Sequence, residues 1–264
     1  KSSDLAKFGL MLYKADGTAW NLQHSVEYFE TITTWVDLIN ASPKASAIKA
    51  LVLKTQGINL NDLQAADLEK FGLVLYKADG SSWNVSDSMR FYENIAIFTD
   101  LVNASPKAYG IKVLLRKTHN FNLDSLKTED LEKFGTLLYD ENGPRDLKKS
   151  ADFFEQVVIF LENVNASPYV TEMKELLNKE YALNIDDLKA ADFTQLGALV
   201  FSPEIYVGFA WVEFRKEDYK AAIQEVESML SAHPEWQTIA YVQEKEAESK
   251  EEFPGKEEAR KLLL

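Results

Sequence analysis

The sequence predicts an all-α chain of tandem three-helix repeats, each of about 63 residues, stacked as an α-solenoid or strung as helical bundles, with a divergent helical cap at the C-terminal end. Three observations predict it. The block Asp4-Leu-Ala-Lys-Phe-Gly-Leu-Met-Leu-Tyr13 returns at Asp67 to Tyr76 and again at Asp130 to Tyr139. Asn40-Ala-Ser-Pro43 returns at Asn103 to Pro106 and at Asn165 to Pro168, offsets of 63 and then 62. Residues 4–66 and 67–129 share 33 identities in 63 positions, which only duplication explains. A fourth start appears at Asp192 to Gly197 and then fades. The expected organisation is repeat 1 over 1–66, repeat 2 over 67–129, repeat 3 over 130–191 and the cap over 192–264. The period fits neither tetratricopeptide units, near 34 residues, nor HEAT and armadillo units, near 40–47.

Each unit reads as helices A, B and C. In the second copy, helix A is expected from about Asp62 to Tyr76, with Asn61 or Asp62 as cap and Leu63, Ala66, Phe71 and Leu75 on one face. Its equivalents are expected to start near Asp124 and Asp186, and the first copy is truncated. Asp79-Gly80 supplies the turn that ends it. A glycine recurs in helix A at Gly9, Gly72, Gly135 and Gly197. Glycine costs a helix about 1 kcal/mol against alanine, so its recurrence predicts close approach of a neighbouring helix.

Helix B is expected from about Ser25 to Asn40, with the stripe Val26, Phe29, Ile32, Val36 and Ile39. Pro43 blocks its continuation and opens helix C, expected to about Gln56 with Ile48, Leu51 and Val52 inward. No segment shows the strict alternation of a half-buried strand. In the cap, apolar Pro203 to Trp211 precedes an amphipathic helix over Asp218 to Ala232. A polar helix is expected from Pro234 to about Glu252. A repeat array needs such an atypical terminal unit with a polar outer face.

Composition narrows the function. The net charge of −13 repels phosphate backbones and anionic lipid, so nucleic acid is not an expected partner. The absence of cysteine removes disulfides, thiol catalysis and thiolate metal sites. No stretch is apolar enough to span a bilayer. The expected character is soluble; the opening at Lys1 without a signal peptide is read as a processed or excised N-terminus, consistent with secretion.

Chemistry-bearing motifs are absent. His24, His119 and His233 lie in different units, without metal-ligand spacing, and read as surface residues. There is no nucleophile elbow, phosphate loop, dinucleotide fingerprint or zincin motif, and no cofactor is expected. Carboxylates recur at Glu30, Glu93 and Glu155, and seven residues on at Asp37, Asp100 and Glu162. Repetition in three copies favours a structural role, and Lys49, Lys112 and Lys174, or Lys7, Lys70 and Lys133, are the expected partners. Trp20 and Trp83 recur before helix B and read as packing for the A–B loop, with a stacking platform as the alternative.

The copies differ most on the outer face of helix B. The first has Gln23, His24, Glu27, Thr31 and Thr34; the second Ser86, Asp87, Arg90, Asn94 and Ile97; the third Lys148, Lys149, Asp152, Gln156 and Ile159. A constant framework with a varying face is how a composite protein-binding surface is built. Free drift of solvent-facing positions produces the same pattern. The expectation is a non-enzymatic scaffold that binds an unidentified protein through this row. The first alternative is a carrier of an apolar small molecule near Phe8, Tyr13, Tyr28, Phe29 and Trp35. The second is an enzyme, disfavoured because no polar constellation converges.

Overall fold

The computed structural model describes residues 22–75, 84–140, 143–215 and 219–232. Among these the chain is all-α. The first copy of helix A, Trp20, Trp83, His233 and the polar helix expected from Pro234 lie outside the described residues.

Helices B are α1 (Leu22–Ala41), α4 (Val85–Ala104) and α7 (Leu147–Ala166), each of 20 residues. Helices C are α2 (Ala45–Gln56), α5 (Ala108–His119) and α8 (Val170–Tyr181), each of 12 residues. Helices A are α3 (Asp67–Leu75) and α6 (Asp130–Leu138), followed in the fourth start by α9 (Phe193–Val200). The cap adds α10 (Pro203–Arg215) and α11 (Tyr219–Ala232). One short antiparallel ladder, β1 (Tyr139–Asp140) with β2 (Gly143–Pro144), closes the A–B loop of the third copy.

Helix A starts later than the sequence suggested, at Asp67 and Asp130. Local side-chain bonding consumes the preceding residues. Asn59, Asn122 and Asn184 each accept the backbone N–H two residues on, at 3.2, 3.1 and 3.1 Å. In the later two this opens a 3₁₀ turn, Leu123–Ser125 and Ile185–Asp187. Such Asx turns compete with helix. The carboxylates of Asp67, Asp130 and Asp192 then reach back to the N–H of Gln64, Lys127 and Lys189. Leu63 and Ala66 therefore fall in the exposed linker, not on the helix face.

Helix C ends with a left-handed residue in all three copies: Gly57 (φ 65°), Asn120 (φ 52°) and Ala182 (φ 50°). Glycine carries no penalty there and asparagine little; alanine is strained. Crowding does not explain the described helix-A glycines, and Gly9 lies outside the described residues. A Cβ on Gly72 or Gly135 would meet nothing within 4 Å, and one on Gly197 would make only ordinary contact with the Phe153 ring at 3.5 Å. The close approach lies elsewhere: a Cβ on Gly110 would fall 2.5 Å from Val158 Cγ1.

The chain divides into two compact units, residues 1–104 with 121–148, and residues 105–120 with 149–264. In the first, α4 packs on α1 and α2, with α3 and α6 against it. Its core holds Trp35, Ile39, Phe71, Phe98 and Phe134, all fully buried. Trp35 lies edge-on to Phe71 and Tyr92, and Phe98 edge-on to Phe134. Each such side chain contributes about 1.5–3 kcal/mol by leaving water. In the second unit, α10 packs on α8, α9 and α11, and the Phe160 ring stacks on Phe209 at 5.9 Å.

The expected stripe of α1 splits. Ile32 and Ile39 are buried, while Val26 is 56% exposed and Phe29 is half-buried. At about 100° per residue, Val26 lies about 120° around the helix from Ile32.

Candidate functional site

The outer row of helix B is where the copies diverge. In the first copy, Gln23, Glu27 and Thr34 are exposed and Thr31 is half-buried. Gln23 Nε2 donates to Glu27 Oε1 at 3.1 Å, and Thr31 Oγ1 to the Glu27 carbonyl at 2.7 Å. His24 lies on α1, with its side chain outside the described set. In the second copy, Ser86, Asp87 and Arg90 are exposed, and Arg90 Nη1 stands 3.7 Å from Asp87 Oδ1. Asn94 does not join them. It is buried, and its Nδ2 donates to the Tyr139 hydroxyl at 2.8 Å, because the A–B loop of the following copy covers that position. Burial raises the Tyr139 pKa. Ile97 is half-buried. In the third copy, Lys148, Lys149 and Asp152 are exposed, with Gln156 and Ile159 half-buried.

The row is therefore a polar patch at the first two turns of each helix B, running in α4 and α7 into covered or partly covered positions further along, whereas Thr34 of α1 stays exposed. The first compact unit carries the rows of copies one and two together with Lys148, and the second carries Lys149, Asp152, Gln156 and Ile159. Charge changes along the series: Glu27, then Asp87 with Arg90, then Lys148 and Lys149 beside Asp152.

The conserved framework is more ordered than the sequence indicated. Among the described residues, the carboxylates of α4 and α7 are not held by Lys49, Lys70, Lys133 or Lys174. Instead they hold the turn that ends the preceding helix B. Ser42 Oγ donates to Glu93 at 2.5 Å, and Ser105 Oγ to Glu155 at 2.6 Å. Lys44 Nζ meets Asp100 at 2.7 Å, and Lys107 meets Glu162 in the same way. Both serines also accept the N–H two residues on, at 3.0 Å, which fixes the turn. A third contact repeats: Lys54 and Lys117 donate to the backbone carbonyls of Asp124 and Asp186 at 2.5 and 2.7 Å.

Four of the lysines named from sequence go elsewhere, and Lys7 lies outside the described residues. Lys70 and Lys133 fold back three residues onto Asp67 and Asp130. Lys49 reaches Asn61 at 3.0 Å and Lys174 reaches Asp186 at 2.7 Å. The recurring Asn-Ala-Ser-Pro-Lys of the first two copies was the signal for the true partners. In the third copy Tyr169 replaces the lysine.

His119 is only partly at the surface. It is half-buried between Phe154 and Phe193, its Nδ1 2.8 Å from Thr118 Oγ1, and desolvation lowers its pKa. Of the aromatic region considered for a carrier, Trp35 is fully buried core and the Tyr28 hydroxyl donates to the Leu68 carbonyl. An open groove of about 470 Å³ lies along α1, lined by Val26, Phe29, Glu30, Thr33 and Thr34. Among the described residues, no three His, Asp or Glu side chains converge as a metal site, and no helix is long and apolar enough to cross a membrane. No protein-family model, curated protein or solved structure matches the chain.

Proposed function

We propose that this chain is a non-enzymatic helical-repeat scaffold whose stacked copies bind another protein through the outer row of helix B, as a surface protein, adaptor or secreted effector. One observation carries the reading. The same bonds between copies, Ser42 to Glu93 and Ser105 to Glu155, are kept twice, while the exposed row beside them changes in charge and size. A rigid frame with a variable face supplies specificity without altering the fold. The row's charges differ between copies, so each copy presents different chemistry, and Arg90 is a strong candidate anchor because arginine is enriched at binding hot spots.

The test is binding of partners recovered from the protein's own source to the intact chain and to Glu27→Lys and Arg90→Glu variants. The reading expects a partner whose retention falls at least about tenfold with either charge reversal, the loss of one anchoring contact. Partners that bind all three forms equally would place recognition on another face.

A further inference from the structure

The contacts between copies have an acceptor half and a donor half. The acceptor half is a pair of carboxylates seven residues apart on helix B. The donor half is the Ser-Pro-Lys turn of the preceding copy. Both halves meet at α4, where Ser42 and Lys44 hold Glu93 and Asp100. They meet again at α7, where Ser105 and Lys107 hold Glu155 and Glu162. In α1 the acceptor half is present as Glu30 and Asp37, and both are exposed. The apolar positions of that face agree. Tyr92 and Phe154 are buried by the preceding copy's side, whereas Phe29, their equivalent, is half-buried. Ala96 and Val158 are buried, whereas Thr33 is exposed. Val26, 56% exposed, edges the open groove that Phe29 and Glu30 line.

We propose that this face of α1 is a docking surface for a further repeat unit of this type, whose Asn-Ala-Ser-Pro-Lys turn places its serine hydroxyl on Glu30 and its lysine on Asp37. The geometry is the one the chain already uses at α4 and α7. Complementarity selects the occupant: two carboxylates at a fixed spacing match a hydroxyl and an ammonium two residues apart, with the helix behind them covering Val26 and Phe29. A second copy of this chain is a poorer occupant. Its turns at Ser42 and Ser105 are engaged at its own junctions, and its third turn carries Tyr169 where the lysine is needed. The inference stands on these two junctions, whether or not the variable row binds a protein.

The test adds one unit to the full chain. A duplicate of residues 67–129 is placed directly before Asp4, which keeps the 63-residue register. Hydrogen exchange of the α1 amides is compared with and without it. The proposal expects protection of α1 to rise at least about tenfold, the order of one charge-assisted hydrogen bond. That gain is to be lost with Ser105→Ala and Lys107→Ala in the added unit only, and lost with Glu30→Gln and Asp37→Asn. In the unextended chain, Glu30→Gln and Asp37→Asn are expected to leave the unfolding midpoint unchanged, which separates a docking effect from misfolding. Unchanged α1 exchange in the extended chain overturns the proposal, including when the added unit stays unfolded. So does a gain that survives the Glu30 and Asp37 substitutions. An unextended chain that dimerises through Glu30 and Asp37 overturns it in favour of self-association.

Discussion

Ser42 Oγ donates to Glu93 Oε1 at 2.5 Å, tying the turn after α1 to the middle of α4 across 51 residues of sequence. The bond is half-buried and charge-assisted, so it is worth more than an exposed ion pair, about 1.5–3 kcal/mol. The neighbouring Lys44–Asp100 pair is exposed and contributes about 0–1 kcal/mol. Ser42→Ala and Glu93→Ala are each expected to lower unfolding stability by about 1–2 kcal/mol. The double variant should lose less than the sum, because both remove the same bond. Urea unfolding of the four proteins measures the coupling, and full additivity would show that the bond does not hold the junction.

Glycine substitutions separate by what a methyl group would meet. Gly72→Ala and Gly135→Ala are expected to stabilise by about 0.4–1 kcal/mol, since each lies in a helix with open space at Cβ. Gly110→Ala is expected to destabilise by about 1–3 kcal/mol, because its Cβ would overlap the Val158 side chain that fills this gap. Thermal unfolding checks the opposite signs. A Gly110→Ala,Val158→Ala double variant should relieve the clash while leaving less buried area.

The third helix C closes on Ala182 with φ 50°, where the first copy has Gly57. Ala182→Gly is therefore expected to raise stability by up to about 1 kcal/mol, the left-handed penalty net of glycine's greater unfolded-state freedom. The reverse change, Gly57→Ala, should lower it by a similar amount. A denaturation midpoint that moves the same way in both variants would contradict the account.

Two groups set opposite ends of the pH response in the acid range. Desolvation lowers the His119 pKa, so the unfolded chain takes up a proton first and stability falls as pH drops through the ordinary histidine value of about 6.5. The hydrogen bond from Lys70, with that from the Gln64 N–H, lowers the Asp67 pKa. Its stabilising contribution is complete above the ordinary aspartate value of about 3.9 and is lost as pH falls from there through the lower folded value. His119→Gln should flatten the stability profile between about pH 7 and 5, and Asp67→Asn the profile below about pH 4. Unchanged slopes in those windows would contradict the assignments.

The all-α class and the ends of helices B and C were legible because the period, the Asn-Ala-Ser-Pro turn and the apolar spacing all act locally. The start of helix A was not, because Asn59, Asn122 and Asn184 divert the backbone into Asx turns that an apolar pattern over Leu63 and Ala66 does not reveal. Asn94 illustrates a different limit. Its place on helix B marked it as outward, but the tertiary position of Tyr139 buries it. The carboxylate partners were misassigned for the same reason: Lys44 and Lys107 approach from the preceding copy, and helical spacing within one unit says nothing about them. Within the variable row, Gln23, Glu27, Ser86, Asp87, Arg90, Lys148, Lys149 and Asp152 are exposed, because the first two turns of helix B carry no tertiary cover there.

Native mass spectrometry of the protein purified gently from its own source tests the scaffold reading most directly. The account predicts the chain of 30.0 kDa carrying the additional mass of a second polypeptide, with that complex lost in the Arg90→Glu variant. A constant excess of a few hundred daltons, unaffected by Arg90→Glu, would contradict it and identify a carrier of a small molecule.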